Sequence, residues 1–99
     1  MNFNQLIQVS VKPVVANFFA TWCGPCKMFA PIFEATKEKC PQFEFVKLDI
    51  DVSQNEELAT QYGVTSVPTT ILFQNGQIIA QKAGTFPTPE LFEKWIKQG

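Results

Sequence analysis

Two hydrophobic periods alternate along the chain. Phe3, Leu6 and Ile7 fall at helical spacing and predict a short helix within the first ten residues. Pro13 opens an apolar run, Val14-Val15-Ala16-Asn17-Phe18-Phe19-Ala20, with Asn17 its one polar member. A short unbroken run of this kind reads as a strand, at 14–19, buried on both faces. Beyond Cys26 the period lengthens. Met28, Ile32 and Ala35 share one helical stripe, and Phe29 and Phe33 the next, predicting a helix over 25–39 that stops before Pro41. Pro25 suits its first turn. Pro31 removes one backbone donor inside it and is expected to kink the helix rather than end it. Phe45, Val46, Leu48 and Ile50 mark a second strand over 44–49. Ser53 and Glu56 have capping-box spacing for a short helix ending at Gly63. A third strand over 69–73 and a fourth over 77–83 flank Asn75-Gly76, a type I′ hairpin turn. Thr88 caps a last helix with Pro89 in its first turn. Leu91, Phe92, Trp95 and Ile96 are its expected buried face, and Glu90 with Lys94 and Glu93 with Lys97 its solvent-side pairs.

The order is α-βα-βα-ββα. The strand, crossover helix and strand over 14–49 form a βαβ unit, expected to be parallel and right-handed. The hairpin adds an antiparallel pair, and helices should cover both faces of one sheet. At 99 residues with no repeat or linker, residues 1–99 are expected to form a single α/β domain.

Composition narrows the function. Residues are 45% hydrophobic and 17% charged, which is globular rather than disordered. The chain has eight lysines, no arginine and a net charge of −1, so the clustered cations of a nucleic-acid footprint are missing. No apolar run has the length of a membrane span, and residues 1–10 lack the pattern of a secretory signal. The expectation is a cytoplasmic protein with neither nucleic acid nor membrane among its partners. With no histidine, Ser-His and Cys-His nucleophile pairs and His-ligated metals are excluded.

The cysteines carry the chemistry. Cys23 and Cys26 stand one helical turn apart where the first strand passes into the second helix, close enough to close a disulfide. At the helix start, free N–H groups and the positive end of the macrodipole favour a Cys23 thiolate, which is the nucleophilic form. Cys26, one turn in, is expected to be more buried, less acidic and placed to resolve a mixed disulfide. Lys27 adds positive charge. A zinc site is disfavoured: Cys40 would be the third ligand, yet it lies about 21 Å from Cys26 at roughly 1.5 Å rise per residue. No metal is expected, and Cys40 reads as a buried helix-end residue.

Residues Phe18-Phe19-Ala20-Thr21-Trp22-Cys23-Gly24-Pro25-Cys26-Lys27, with Pro31 after them, resemble the thioredoxin family. So do Lys47-Leu48-Asp49-Ile50-Asp51, Tyr62-Gly63-Val64-Thr65-Ser66-Val67-Pro68-Thr69, Phe73-Gln74-Asn75-Gly76 and Gly84, in order over nearly the whole chain. The resemblance implies a thioredoxin-like fold and a protein-disulfide reductase. Cys23 would attack a substrate disulfide and Cys26 would release the product. No cofactor would be bound. Electrons would come from NADPH through a thioredoxin reductase, and the partners would be that reductase and disulfide-containing proteins. The resemblance also implies a cis Pro68 facing the cysteines and a Val67 backbone that pairs with the substrate chain. Trp22, Gly24, Pro25, Val67, Pro68 and Gly84 would form the docking surface. A monomer is the expectation.

Two departures from the family pattern stand out. Asn17 occupies a strand position where the family usually buries an Asp that assists proton movement at the second cysteine. An amide cannot carry that proton, so Asn17 is expected either to slow Cys26 deprotonation or to be a hydrogen-bonded core residue. Lys47 matches the family's lysine there and would lack its acidic partner. The residues before Pro13 look helical, so a four-stranded sheet without an N-terminal edge strand is expected. The alternative function is a redox-independent binding module using the apolar face around Cys23-Gly24-Pro25-Cys26. The Asp49 and Asp51 pair reads as strand-end capping rather than cation binding.

Overall fold

The computed structural model describes residues 1–98. Its elements are α1 (Phe3–Val9), β1 (Val14–Phe19), α2 (Gly24–Lys39), β2 (Glu44–Asp49), α3 (Ser53–Gln61), β3 (Thr69–Gln74), β4 (Gln77–Ala83) and α4 (Pro89–Ile96). The strands form one mixed sheet in the order β2-β1-β3-β4. β1 runs parallel to β2 and antiparallel to β3, and β3 pairs antiparallel with β4. Among the described residues the first element is the helix α1 and the sheet has four strands, as the helical pattern of the first residues implied.

Side-chain alternation along the strands sorts the core into two layers. Val14, Ala16 and Phe18 of β1 face Phe3 and Ile7 of α1 and Ala59 of α3, together with Ile71 and Phe73. Val15 and Leu72 face the opposite way, onto Phe29 and Phe33 of α2 and Phe92 and Ile96 of α4. In that second layer the aromatic rings meet at 5.0 Å between Phe29 and Phe92 and 4.9 Å between Phe86 and Phe92. β1 is paired on both edges and covered on both faces, hence its nearly complete burial. Tyr62 donates its hydroxyl hydrogen to Asn4 Oδ1, and Asn4 donates to Gln61, which ties α1 to the end of α3.

The element ends follow local chemistry. Asn2 and Gln5 form a reciprocal capping box at α1, with Gln5 N–H donating to Asn2 Oδ1 at 2.8 Å and Asn2 N–H to Gln5 Oε1 at 3.0 Å. The box expected at Ser53 and Glu56 is not formed. Val52 is the N-cap and contributes only its carbonyl, so Ser53 falls one place too late to cap. The other end of α3 closes as a Schellman motif: Val64 N–H donates to the Ala59 carbonyl, Gly63 N–H to that of Thr60, and Gly63 takes φ 71°. Asn75 and Gly76 have φ 54° and 77°, as a type I′ turn requires. Helix α2 continues through Pro31 without a break.

Two expectations for α4 need correction. Leu91 is 47% exposed and leaves the buried face to Phe92 and Ile96, with Trp95 half-buried. Glu93 pairs with Lys97, but Glu90 reaches across to Lys39 of α2 instead of to Lys94. Among the described residues no helix is long and apolar enough to cross a membrane.

The redox site at the start of helix α2

β1 delivers the chain to its C-terminal end at Phe19, and α2 begins at Gly24. Cys23 is the N-cap, extended at φ −88° and ψ 118°. Cys26 lies in the first turn, and the two are joined in a disulfide with their Cα atoms 5.2 Å apart. Cys26 N–H donates to Cys23 Sγ at 3.2 Å, so the sulfur takes one of the helix's orphan donors. Pro25 stands in the first turn, where its missing donor costs nothing. Cys23 and Cys26 are 5% and 6% exposed, so Cys26 is not the more buried of the two. The N-cap sulfur is covered from the other side by the loop before β3, with the Val67 carbonyl oxygen 3.7 Å from it.

The Val67-Pro68 bond is cis, and Pro68 is buried beside β3. Gly84 N–H donates to the Pro68 carbonyl at 2.7 Å. Gly84 holds φ 93°, and a side chain there would find no atom within 4 Å, so the position demands glycine for its backbone and faces open space. Gly24 likewise faces open space, and Gly24 and Pro25 are exposed. Trp22 is 66% exposed despite its size. Trp22, Gly24, Pro25, Val67 and Gly84 thus leave an accessible face around a buried disulfide, with Pro68 beneath it.

Sheet register explains what lies below Cys26. Asn17 of β1 pairs with Lys47 of β2 on one side and Thr70 of β3 on the other, so all three share a face. Asn17 is 3% exposed, and its Nδ2 donates to Thr70 Oγ1 at 3.3 Å. Lys47 Nζ sits 4.8 Å from the Phe19 ring centroid and 6.0 Å from that of Phe33, a cation held over aromatic faces. A pocket of about 210 Å³ joins Asn17, Phe19, Cys26, Lys27 and Lys47. Asn17 is a hydrogen-bonded core residue, and it also borders the pocket at Cys26.

Two residues of the site escaped sequence reasoning. Thr70 partners Asn17 across 53 positions, which no local signal reports. Asp51 accepts from Trp22 Nε1 at 3.1 Å, and its own N–H donates to Asp49 Oδ1 at 3.0 Å. The pair does cap the end of β2, and it also fixes the indole beside Cys23. Cys40 is fully buried at the end of α2, packed in the Phe29–Phe92 layer. Burial, with the Glu93 carboxylate nearby, pushes its thiol above the usual range.

The family model described as Thioredoxin matches residues 1–98. A thioredoxin of Mycoplasmoides gallisepticum is 41% identical over 90 residues, covering 91% of this chain and 87% of that protein. A Mycobacterium leprae protein named bifunctional thioredoxin reductase/thioredoxin is 49% identical over 76 residues, 76% of this chain and 16% of that longer protein. The solved structure of oxidised mitochondrial thioredoxin 3 from Saccharomyces cerevisiae superposes with a TM-score of 0.85 at 37% identity, covering 98% and 87% of the two chains. Likeness in sequence and fold therefore meets at the same disulfide: the chain belongs to the thioredoxin family and carries its protein-disulfide reductase activity through Cys23 and Cys26.

Proposed function

We propose that residues 1–99 act as one domain and a monomer, and that Cys23 is the attacking and Cys26 the resolving cysteine. The observation that carries this assignment is the capping role of Cys23 Sγ at the N-terminus of α2. The Cys26 N–H aimed at that sulfur, with the positive end of the helix behind it, favours its thiolate. In the dithiol form, Cys23 thiolate attacks one sulfur of a substrate disulfide. That S–S bond breaks, and the departing substrate thiolate takes a proton from water. Cys26 gives its proton to water in the pocket it shares with Asn17 and Lys47, and then attacks Cys23 Sγ. The mixed disulfide breaks, the second substrate sulfur leaves as a thiolate and takes a proton from water, and the Cys23–Cys26 disulfide closes. Two electrons have passed to the substrate.

Val67 presents backbone beside Cys23, and a substrate chain pairs with it there. Backbone contacts carry little side-chain information, which suits many disulfide-containing partners. Trp22, Gly24, Pro25 and Gly84 complete the docking face, and the buried Pro68 supports it from beneath. NADPH restores the dithiol through a thioredoxin reductase in the cytoplasm. The naming of the M. leprae relative, which joins reductase and thioredoxin in one protein, supports that partner. Asn17 slows deprotonation of Cys26 because its amide cannot accept the proton. Lys47 tunes the same pocket.

Insulin-disulfide reduction with dithiothreitol tests the assignment. The wild-type protein should turn over well above the dithiothreitol background. Cys23→Ser should abolish it. Pre-reduced Cys26→Ser, mixed with insulin after the dithiothreitol is removed, should accumulate a mixed disulfide that is visible on a non-reducing gel. A Cys23→Ser protein that still turns over would overturn the assignment. Asn17→Asp should speed resolution between pH 6 and 9, and an unchanged rate would count against the role given to Asn17.

A further inference from the structure

A second hollow opens beside Trp22. It is a groove of about 290 Å³ between the Trp22–Cys23 corner, the loop before β3 and helix α3. Trp22 and Val67 line it and also flank the disulfide, so the groove is continuous with the reactive face. Its apolar lining includes Ile50, Ala59 and Val64. Its charged lining is Asp51 and Glu56, both exposed carboxylates, with no cation among the lining residues. Asp51 is pinned by Trp22 Nε1 and by its own backbone turn. The Glu56 carboxylate has no hydrogen-bond or ion-pair partner among the described residues.

We propose that this groove is a specificity subsite for a lysine or arginine side chain of the substrate protein, close in sequence to its reactive half-cystine. The proposal rests on protein disulfides docking against Val67 as described above. An extended substrate strand advances about 3.3 Å per residue. A residue one or two places from a sulfur held beside Cys23 therefore comes level with the groove. Lysine and arginine lay an aliphatic stem along apolar surface and keep the charged head in water. Here the stem lies along Ile50, Ala59 and Val64, and the head meets Asp51 and Glu56. A purely apolar side chain would cover the groove without meeting either carboxylate, and an acidic one would be repelled. The net charge of the chain is only −1, so a local preference will not be mimicked by steering from the whole molecule.

Three symmetrical peptide disulfides, differing only in lysine, norleucine or glutamate two residues from the cysteine, test this. The readout is the second-order rate of their reduction by pre-reduced protein, quenched with acid and resolved by chromatography. The lysine peptide should react about 2- to 5-fold faster than the norleucine peptide, the range of one exposed charge pair, and the glutamate peptide more slowly. Glu56→Gln should shrink the lysine-to-glutamate ratio, Glu56→Lys should invert it, and high salt should flatten it. Equal rates for all three peptides, or a ratio that Glu56→Lys does not move, overturn the subsite and leave the reductase reading standing. Failure to reduce even the norleucine peptide overturns both.

Discussion

Replacing Asn17 by aspartate exchanges an amide for a carboxyl of the same shape at a position only 3% exposed in the middle of β1. Thr70 Oγ1, which accepts from Asn17 at 3.3 Å, can turn its own hydrogen toward the new oxygen. Packing is kept and charge is what changes. The unfolded chain ionises near a pKa of about 3.9, whereas burial resists ionisation in the folded chain. The folded pKa is raised. Stability therefore falls as pH climbs from the unfolded pKa to the folded one, and the loss is constant above that. Full burial raises a carboxyl by up to about 3–5 units. The pocket bordering Asn17 and the Lys47 ammonium in it hold the shift near the lower end. About 3 units at roughly 1.4 kcal/mol each amount to about 4 kcal/mol. A small domain has only about 5–15 kcal/mol in all. Urea unfolding of the oxidised proteins, followed by tryptophan fluorescence from about pH 4 to about pH 8.5, reads the difference from wild type. It should be small at the acid end and grow to a plateau near neutrality. A difference that stays flat in pH refutes the reasoning, because it would mean that the new carboxyl meets water in the folded chain.

Two further outcomes follow from the second core layer. Phe92→Ala removes a fully buried ring that touches Phe29 and Phe86 and should lower unfolding stability by about 3–5 kcal/mol in the same urea assay. Cys40, fully buried and with its thiol pushed up by desolvation, should react with a thiol reagent in the oxidised protein only as fast as the chain opens. Sub-denaturing guanidinium should accelerate that labelling, and fast labelling in buffer alone would show that the end of α2 is open.

The elements were legible because each has a local cause. The apolar run at Val14 and the helical stripes after Cys26 report periods that the sheet and α2 then bury. Asn75-Gly76 reports a backbone conformation. What failed was of two kinds. Ser53 and Glu56 carry the capping signature, but the chain leaves β2 one residue out of step with it, and Val52 takes the cap. Leu91 belongs to the apolar stripe of α4, yet the width of the face that α2 can cover decides burial, and Leu91 lies outside it. The cysteine pair was visible from its spacing and its place before a helix. Its surroundings were not, because Thr70 reaches Asn17 and Asp51 reaches Trp22 only through the register of the sheet and the path of the loops.

Cys23 Sγ is at once the atom that caps α2 and the atom that reacts. As half of a disulfide, it is a weak acceptor for the Cys26 amide. As a thiolate it becomes an ionic acceptor, and such bonds are roughly twice as strong as neutral ones. The hydrogen bond that caps the first turn is therefore stronger in the reduced chain. In a closed thermodynamic cycle, folding free energy that the dithiol form gains over the disulfide form reappears in the potential of the couple, at about 20 mV per 1 kcal/mol. Loosening the first turn of α2, for instance at the exposed Gly24 or Pro25, should thus move melting temperature and redox potential together while leaving both sulfurs untouched. The helix terminus serves this molecule as ballast on its electron affinity.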